Sequence, residues 1–165
     1  MSASQSYVVS GLPLEPFRHL FGLNEEALAA QNVVRMTVDA PVGFPCRVTL
    51  EDAQPGETVL LLNYEHQPAE TPYRSQHAIF VSEAAAETRR AVGEIPSALF
   101  IRKAISLRAF DEAGMMVDAE IASGDALEPV IARMFEAPEV AYLHAHNAGR
   151  GCYAARIDRA WRASA

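Results

Sequence analysis

The sequence predicts an α+β fold: a mostly antiparallel sheet with two to three short helices packed on it. Three observations carry this. Short apolar runs broken by Gly and Pro dominate the chain, two pairs of runs stand in hairpin order, and only a few segments show helix caps or helical periodicity. Residues 1–165 read as one domain, because the length fits one domain and no repeat or low-complexity linker divides it.

Asn24-Glu25-Glu26-Ala27-Leu28 starts a short helix, with Asn24 as cap and two acids at the positive end of the helix dipole. Residues 33–38, 46–50 and 58–62 follow as strands, separated by Pro41, Gly43, Pro55 and Gly56. The third, Thr58-Val59-Leu60-Leu61-Leu62, lacks alternation and therefore belongs at the centre of a sheet. Residues 78–81 make a fourth strand, and the alanine-rich residues 83–90 read as a short helix stopped by Gly93 and Pro96.

A hairpin comes next. With Glu112-Ala113-Gly114 as its loop, Ala109 faces Val117, Leu107 faces Ala119, Ile105 faces Ile121, and Arg108 meets Asp118 as an opposite-charge pair. Asp125 and Glu128 then have the spacing of a capping box, ahead of an apolar stripe of Val130, Ile131, Met134 and Phe135.

Composition narrows the function. Half the residues are hydrophobic, enough for a core, and 14 Lys+Arg against 21 Asp+Glu give a formal charge of −7. That balance argues against non-specific nucleic-acid binding. The basic residues are unevenly placed: Arg89, Arg90, Arg102, Lys103 and Arg108 lie close in sequence, and arginines outnumber acids after Gly149, so an anionic small molecule is an eligible ligand. Lys103 is the sole lysine, the mark of GC-rich codon usage and a bacterial source. Cys46 and Cys152 are too few and too far apart for a disulfide scaffold. With no signal-peptide pattern and no apolar run of transmembrane length, a soluble cytoplasmic protein with no membrane partner is expected.

The chemistry concentrates in His144-Ala145-His146-Asn147-Ala148-Gly149-Arg150-Gly151-Cys152-Tyr153. Read as a hairpin with residues 147–151 as its loop, His146 pairs with Cys152 and His144 with Ala154. One face then carries Leu143, Ala145, Tyr153, Ala155 and Ile157, and the other Tyr142, His144, His146, Cys152, Arg156 and Asp158. Three chemistries fit the second face. His144, His146 and Cys152 are ligands for zinc, the one cofactor the residues suggest, with Cys46, His66 or His77 as a fourth. Alternatively Cys152 or Cys46 is a thiolate nucleophile, a histidine its base, and Asn147 the orienting group. Or Gly149 and Gly151 open backbone amides into an anion nest beside Arg150. A turn satisfying its own geometry on a solvated face is the bland counterpart of all three.

A second cluster runs from Tyr64 and His66 to Tyr73, Arg74, Ser75 and His77, where Arg74 and Ser75 suit a carboxylate or phosphate. Cys46-Arg47 is a third candidate. The site expected from these residues is a small-molecule pocket of His, Cys and Arg groups, with His144, His146 and Cys152 in the catalytic roles. Tyr73, Arg74, Ser75, His66, Asn147, Arg150, Cys46 and Arg47 are its ligand-binding groups. The alternative is a non-catalytic module for a ligand or protein, with neither metal nor reactive thiol. Whether the chain is an enzyme, and its oligomeric state, stay open.

The segments Phe44-Pro45-Cys46-Arg47, Leu50-Glu51-Asp52-Ala53, Leu60-Leu61-Leu62-Asn63-Tyr64, Pro72-Tyr73-Arg74-Ser75 and His144 through Cys152 together resemble an uncharacterised bacterial family, domain of unknown function 1203. The resemblance covers nearly the whole chain and implies a small stand-alone bacterial protein, with no activity to carry over. The family pattern has Gly-Pro where this chain has His77-Ala78, which ranks His77 below the other candidates.

Overall fold

A computed structural model describes residues 7–161. Its strands are β1 (Tyr7–Ser10), β2 (Val34–Thr37), β3 (Thr58–Gln67), β4 (Ser75–Ser82), β5 (Arg90–Val92), β6 (Ile105–Phe110), β7 (Met116–Ala122), β8 (Tyr142–Asn147) and β9 (Tyr153–Arg159). Four short α-helices, α1 (Glu15–Arg18), α2 (Glu25–Ala29), α3 (Ser97–Phe100) and α4 (Leu127–Met134), complete the α+β class that the sequence predicts. The strands divide between two antiparallel sheets rather than one. The larger has the order β5-β1-β9-β8-β6-β7 and the smaller β2-β3-β4, so β3 is central, as its unbroken apolar run requires.

The larger sheet buries one face under α4. Val130, Ile131 and Met134 pack on Leu107, Leu143, Ala145, Ala155 and Ile157, all buried. The smaller sheet lies over the opposite face with the N-terminal segment, and its core joins Leu60, Leu62, Ile79 and Val81 to Phe17, Leu28 and Tyr153. His144 and His146, which point away from α4, are therefore buried between the two sheets, while Tyr142, Arg156 and Asp158 on the same face stay partly exposed.

Asn24 caps α2 as expected, its Oδ1 accepting from the Ala27 amide at 2.8 Å. The capping box at Asp125 does not form. Gly124–Ala126 is a 3-10 turn, Asp125 accepts from Ser123, and Glu128 is drawn away to accept from the Tyr7 hydroxyl. Residues 46–50 do not form a strand either. Only the bridges Pro45–Asp52 and Cys46–Phe80 are strand-like, and the Leu50 amide turns back to the Cys46 carbonyl with φ at +56°. That coil buries Cys46, Arg47, Val48 and Leu50 together, which an extended strand with one open face would not do. The helix expected at residues 83–90 is absent. The Arg89 amide bonds Val48, the Arg89 carbonyl takes the Gly11 amide, and Arg90 enters β5, so tertiary hydrogen bonds displace a weak local preference.

Both hairpin registers shift by a bulge. At β6–β7 Phe110 pairs with Met116, but beyond it Ala109 pairs with Asp118 and Arg108 with Ala119. The Arg108–Asp118 pair is therefore not formed, and edge strand β7 turns Val117 and Ile121 to solvent. At β8–β9 His146 pairs with Tyr153, then Ala145 with Ala155 and His144 with Arg156. A bulge adds one residue to one strand and re-aims the side chains beside it. Here it separates Tyr153 from Ala155 and Ile157, with which strict alternation groups it, and Tyr153 lies on the side of the histidines.

Candidate metal centre

His144 and His146 alternate with the core residues Leu143 and Ala145 on β8, so strand period alone points both imidazoles away from α4. The smaller sheet closes over them. His66 of β3, within an irregular stretch of register between Tyr64 and Gln67, brings its ring to 5.9 Å from His144 and 4.9 Å from His146. All three histidines are buried, His146 at 1% exposure. One ring nitrogen from each lies within 4.8 Å of the others. Tyr153 stacks on His66 at 5.2 Å and forms one wall, and Gln67 ties the sheets together by donating to the Tyr142 hydroxyl at 2.8 Å.

One hydrogen bond decides the tautomer of His146. His146 Nδ1 lies 2.9 Å from the Gly151 carbonyl, which can only accept, so Nδ1 carries the proton and Nε2 keeps its lone pair. His66 Nε2 lies 2.6 Å from His77 Nδ1, leaving His66 Nδ1 buried without a partner. His144 Nδ1 is likewise buried and unpartnered. Buried polar nitrogens left unsatisfied are costly, and two of them stand together in this cluster.

Electrostatics keep these rings neutral. Burial, then the neighbours His146 and His66, push the His144 pKa down to about 3. Burial and the Arg108 guanidinium push His146 to about 3 despite its bond to Gly151. Burial, His77 and Arg108 push His66 to about 4, and burial also lowers His77. Neutral imidazoles are the form that ligates metal. A tetrahedral zinc with Zn–N bonds of about 2.0–2.1 Å needs nitrogens about 3.4 Å apart. The cluster's nitrogens, within 4.8 Å of one another, would have to draw closer by side-chain rotation to reach that geometry.

The remaining sequence-derived candidates lie elsewhere. Cys152 stands apart from the imidazoles: its Sγ accepts from Arg47 Nη2 at 3.1 Å and from Asn147 Nδ2 at 3.4 Å. Arg47 is almost fully buried and also donates to the Tyr153 and Pro45 carbonyls. Arg150 lies at the exposed β8–β9 turn, where Gly151 adopts φ +80° and its amide is already bonded to the Asn147 carbonyl. The Ala148 and Gly151 amides are thus committed, to the Ala104 and Asn147 carbonyls. Tyr73 and Arg74 lie in the β3–β4 turn and Ser75 opens β4; Arg74 pairs with Glu65 at 2.9 Å and Ser75 donates to the Tyr73 carbonyl. Cys46 is buried and accepts from the Ser82 amide.

Two groups at the cluster escaped the sequence. Tyr153 was placed on the other face by the unshifted register. Arg108 was assigned to Asp118, but β6 pairs with β8 so that Arg108 lies opposite His144 on the imidazole side. Its one hydrogen bond among the described residues is to Ser106. Nothing local in the sequence signals the β6–β8 pairing that brings it there.

Residues 43–159 match the family described as "Protein of unknown function (DUF1203)". No curated protein and no solved structure matches the chain.

Proposed function

The chain belongs to this family of unknown function, and, reading its role from the chamber itself, we propose that it is a metalloprotein whose His66, His144 and His146 hold a divalent cation of the zinc type. The observation that carries this is the convergence of three buried imidazoles with two unpartnered nitrogens. The pairing of His66 with His77 and of His146 with Gly151 matches the second-shell bonds that orient ligating imidazoles. Three histidines leave a fourth position, as in sites where a metal activates water or polarises a substrate oxygen. Arg108, with no carboxylate partner among the described residues, stands on that side and favours an anionic fourth ligand.

Elemental analysis of tag-free protein is expected to find one metal per chain. The cobalt-substituted protein is expected to show visible bands of tetrahedral geometry, lost in His66→Ala, His144→Ala and His146→Ala. Protein without stoichiometric metal that also gives no cobalt spectrum on titration after chelation overturns the reading.

A further inference from the structure

A second feature stands apart from the imidazole chamber. A cleft of about 770 Å³ opens between the smaller sheet, the segment before β6 and the β8–β9 turn. Met36, Leu61 and Phe80 form its apolar floor, and Phe44 packs on Phe80 with ring centres 5.3 Å apart. Four cations line it, Arg47, Arg102, Lys103 and Arg150, and no acidic side chain does. In a chain of net charge −7 that is a strong local reversal of sign. Arg102 is neutralised by Asp52 at 2.9 Å, outside the cleft lining. Arg47, Lys103 and Arg150 have no carboxylate partner among the described residues. Arg47 is buried as well, and a buried guanidinium without an anion is costly.

We propose that this cleft binds a small organic anion, its apolar body on Leu61 and Phe80 and its carboxylate or phosphate against Lys103 and Arg150. The size suits such a ligand, since small-molecule sites run from about 300 to 1,000 Å³ with mostly apolar walls and a few placed polar groups. The two exposed cations supply the head-group contacts. The buried Arg47, held by the Pro45 and Tyr153 carbonyls, supplies fixed positive potential at the inner end. Cys152 and His77 also line the cleft. His77 bonds His66, so an occupant would sit one imidazole away from the chamber, yet its binding needs no metal.

Isothermal titration of the full chain, chelated and metal-loaded, tests this with three probes: 3-phenylpropionate, phenyl phosphate and the uncharged 3-phenylpropanol. At least one anion binds and the alcohol does not, in both forms of the protein; which anion binds identifies the head group. The double variant Lys103→Gln, Arg150→Gln weakens binding by about tenfold or more, the cost of losing charge-assisted hydrogen bonds. Saturating anion also slows alkylation of Cys152 by iodoacetamide, with Cys152→Ser as the blank. Equal binding of acid and alcohol, no binding of either anion at millimolar concentration, or an unchanged double variant overturns the proposal. Binding that disappears only on chelation overturns it too, by assigning the anion to the metal.

Discussion

Acidifying the metal-free protein offers the sharpest test of the histidine chamber. The pKa values of His66, His144 and His146 are depressed from an ordinary 6.5 to about 4, 3 and 3. A group depressed in the folded state binds its proton more readily in the unfolded chain, so stability is complete above pH 6.5 and falls as the pH drops toward the folded values. Near pH 5 each ring has forgone about 1.5 pH units of protonation, worth roughly 2 kcal/mol at 1.36 kcal/mol per unit. Three rings together lose about 6 kcal/mol, within the range of roughly 5–15 kcal/mol that holds a whole domain together. The acid side chain Glu83, held at about 2 by Arg35, loses its contribution only below 4.5 and stays out of this window. Urea unfolding followed by far-UV circular dichroism at several pH values, in the presence of chelator, measures the loss. In His146→Asn, whose Nδ2 takes the place of Nδ1 and can still donate to Gly151, the loss shrinks by about a third. A total loss under about 2 kcal/mol, less than one buried imidazole's share, would refute the chamber as described.

Other perturbations separate the remaining parts. Arg108→Met removes a cation that depresses the histidines, so the acid-induced loss in the same urea series shrinks by about 1 kcal/mol, the scale of a partly screened charge interaction. Arg47→Met forfeits three hydrogen bonds, one buried and two part-buried, and costs about 3 kcal/mol at neutral pH, seen as a lowered urea midpoint with unchanged slope. Ile131→Ala, under the centre of the larger sheet, costs about 2–5 kcal/mol by the same measurement while cobalt binding at the chamber persists. Gly124→Ala drives a methyl group into the Leu99 and Phe100 carbonyl oxygens and destabilises by about 1–3 kcal/mol, read as a fall in melting temperature.

The fold class, the Asn24 cap, the α4 stripe and the central place of β3 were legible in local pattern. So was the sharing of one face by His144 and His146, because that needs only the alternation of a single strand. The cross-strand partners were not. Each hairpin carries a bulge, at Ala109–Phe110 and at Ala145–His146, and one extra residue transposes every later pair. The first bulge removed Asp118 from Arg108; at β8–β9 the turn is also one residue longer than the expected 147–151, which sets Tyr153, in place of Cys152, opposite His146. Residues 46–50 and 83–90 failed for a different reason: their backbones bond to distant partners, the Phe80 carbonyl and the Val48 carbonyl among them, that no local propensity contains.

By itself the sequence determined which residues are chemically able and which strand face they share. That information lies in residue type and in a period of two. Only the tertiary structure decided which of them meet. His66, some eighty positions before His146, reaches it because the smaller sheet packs over β8, and Cys152 goes instead to Arg47 across the cleft. Burial between the sheets is what keeps the imidazoles neutral, and burial belongs to the packed sheets rather than to either strand alone.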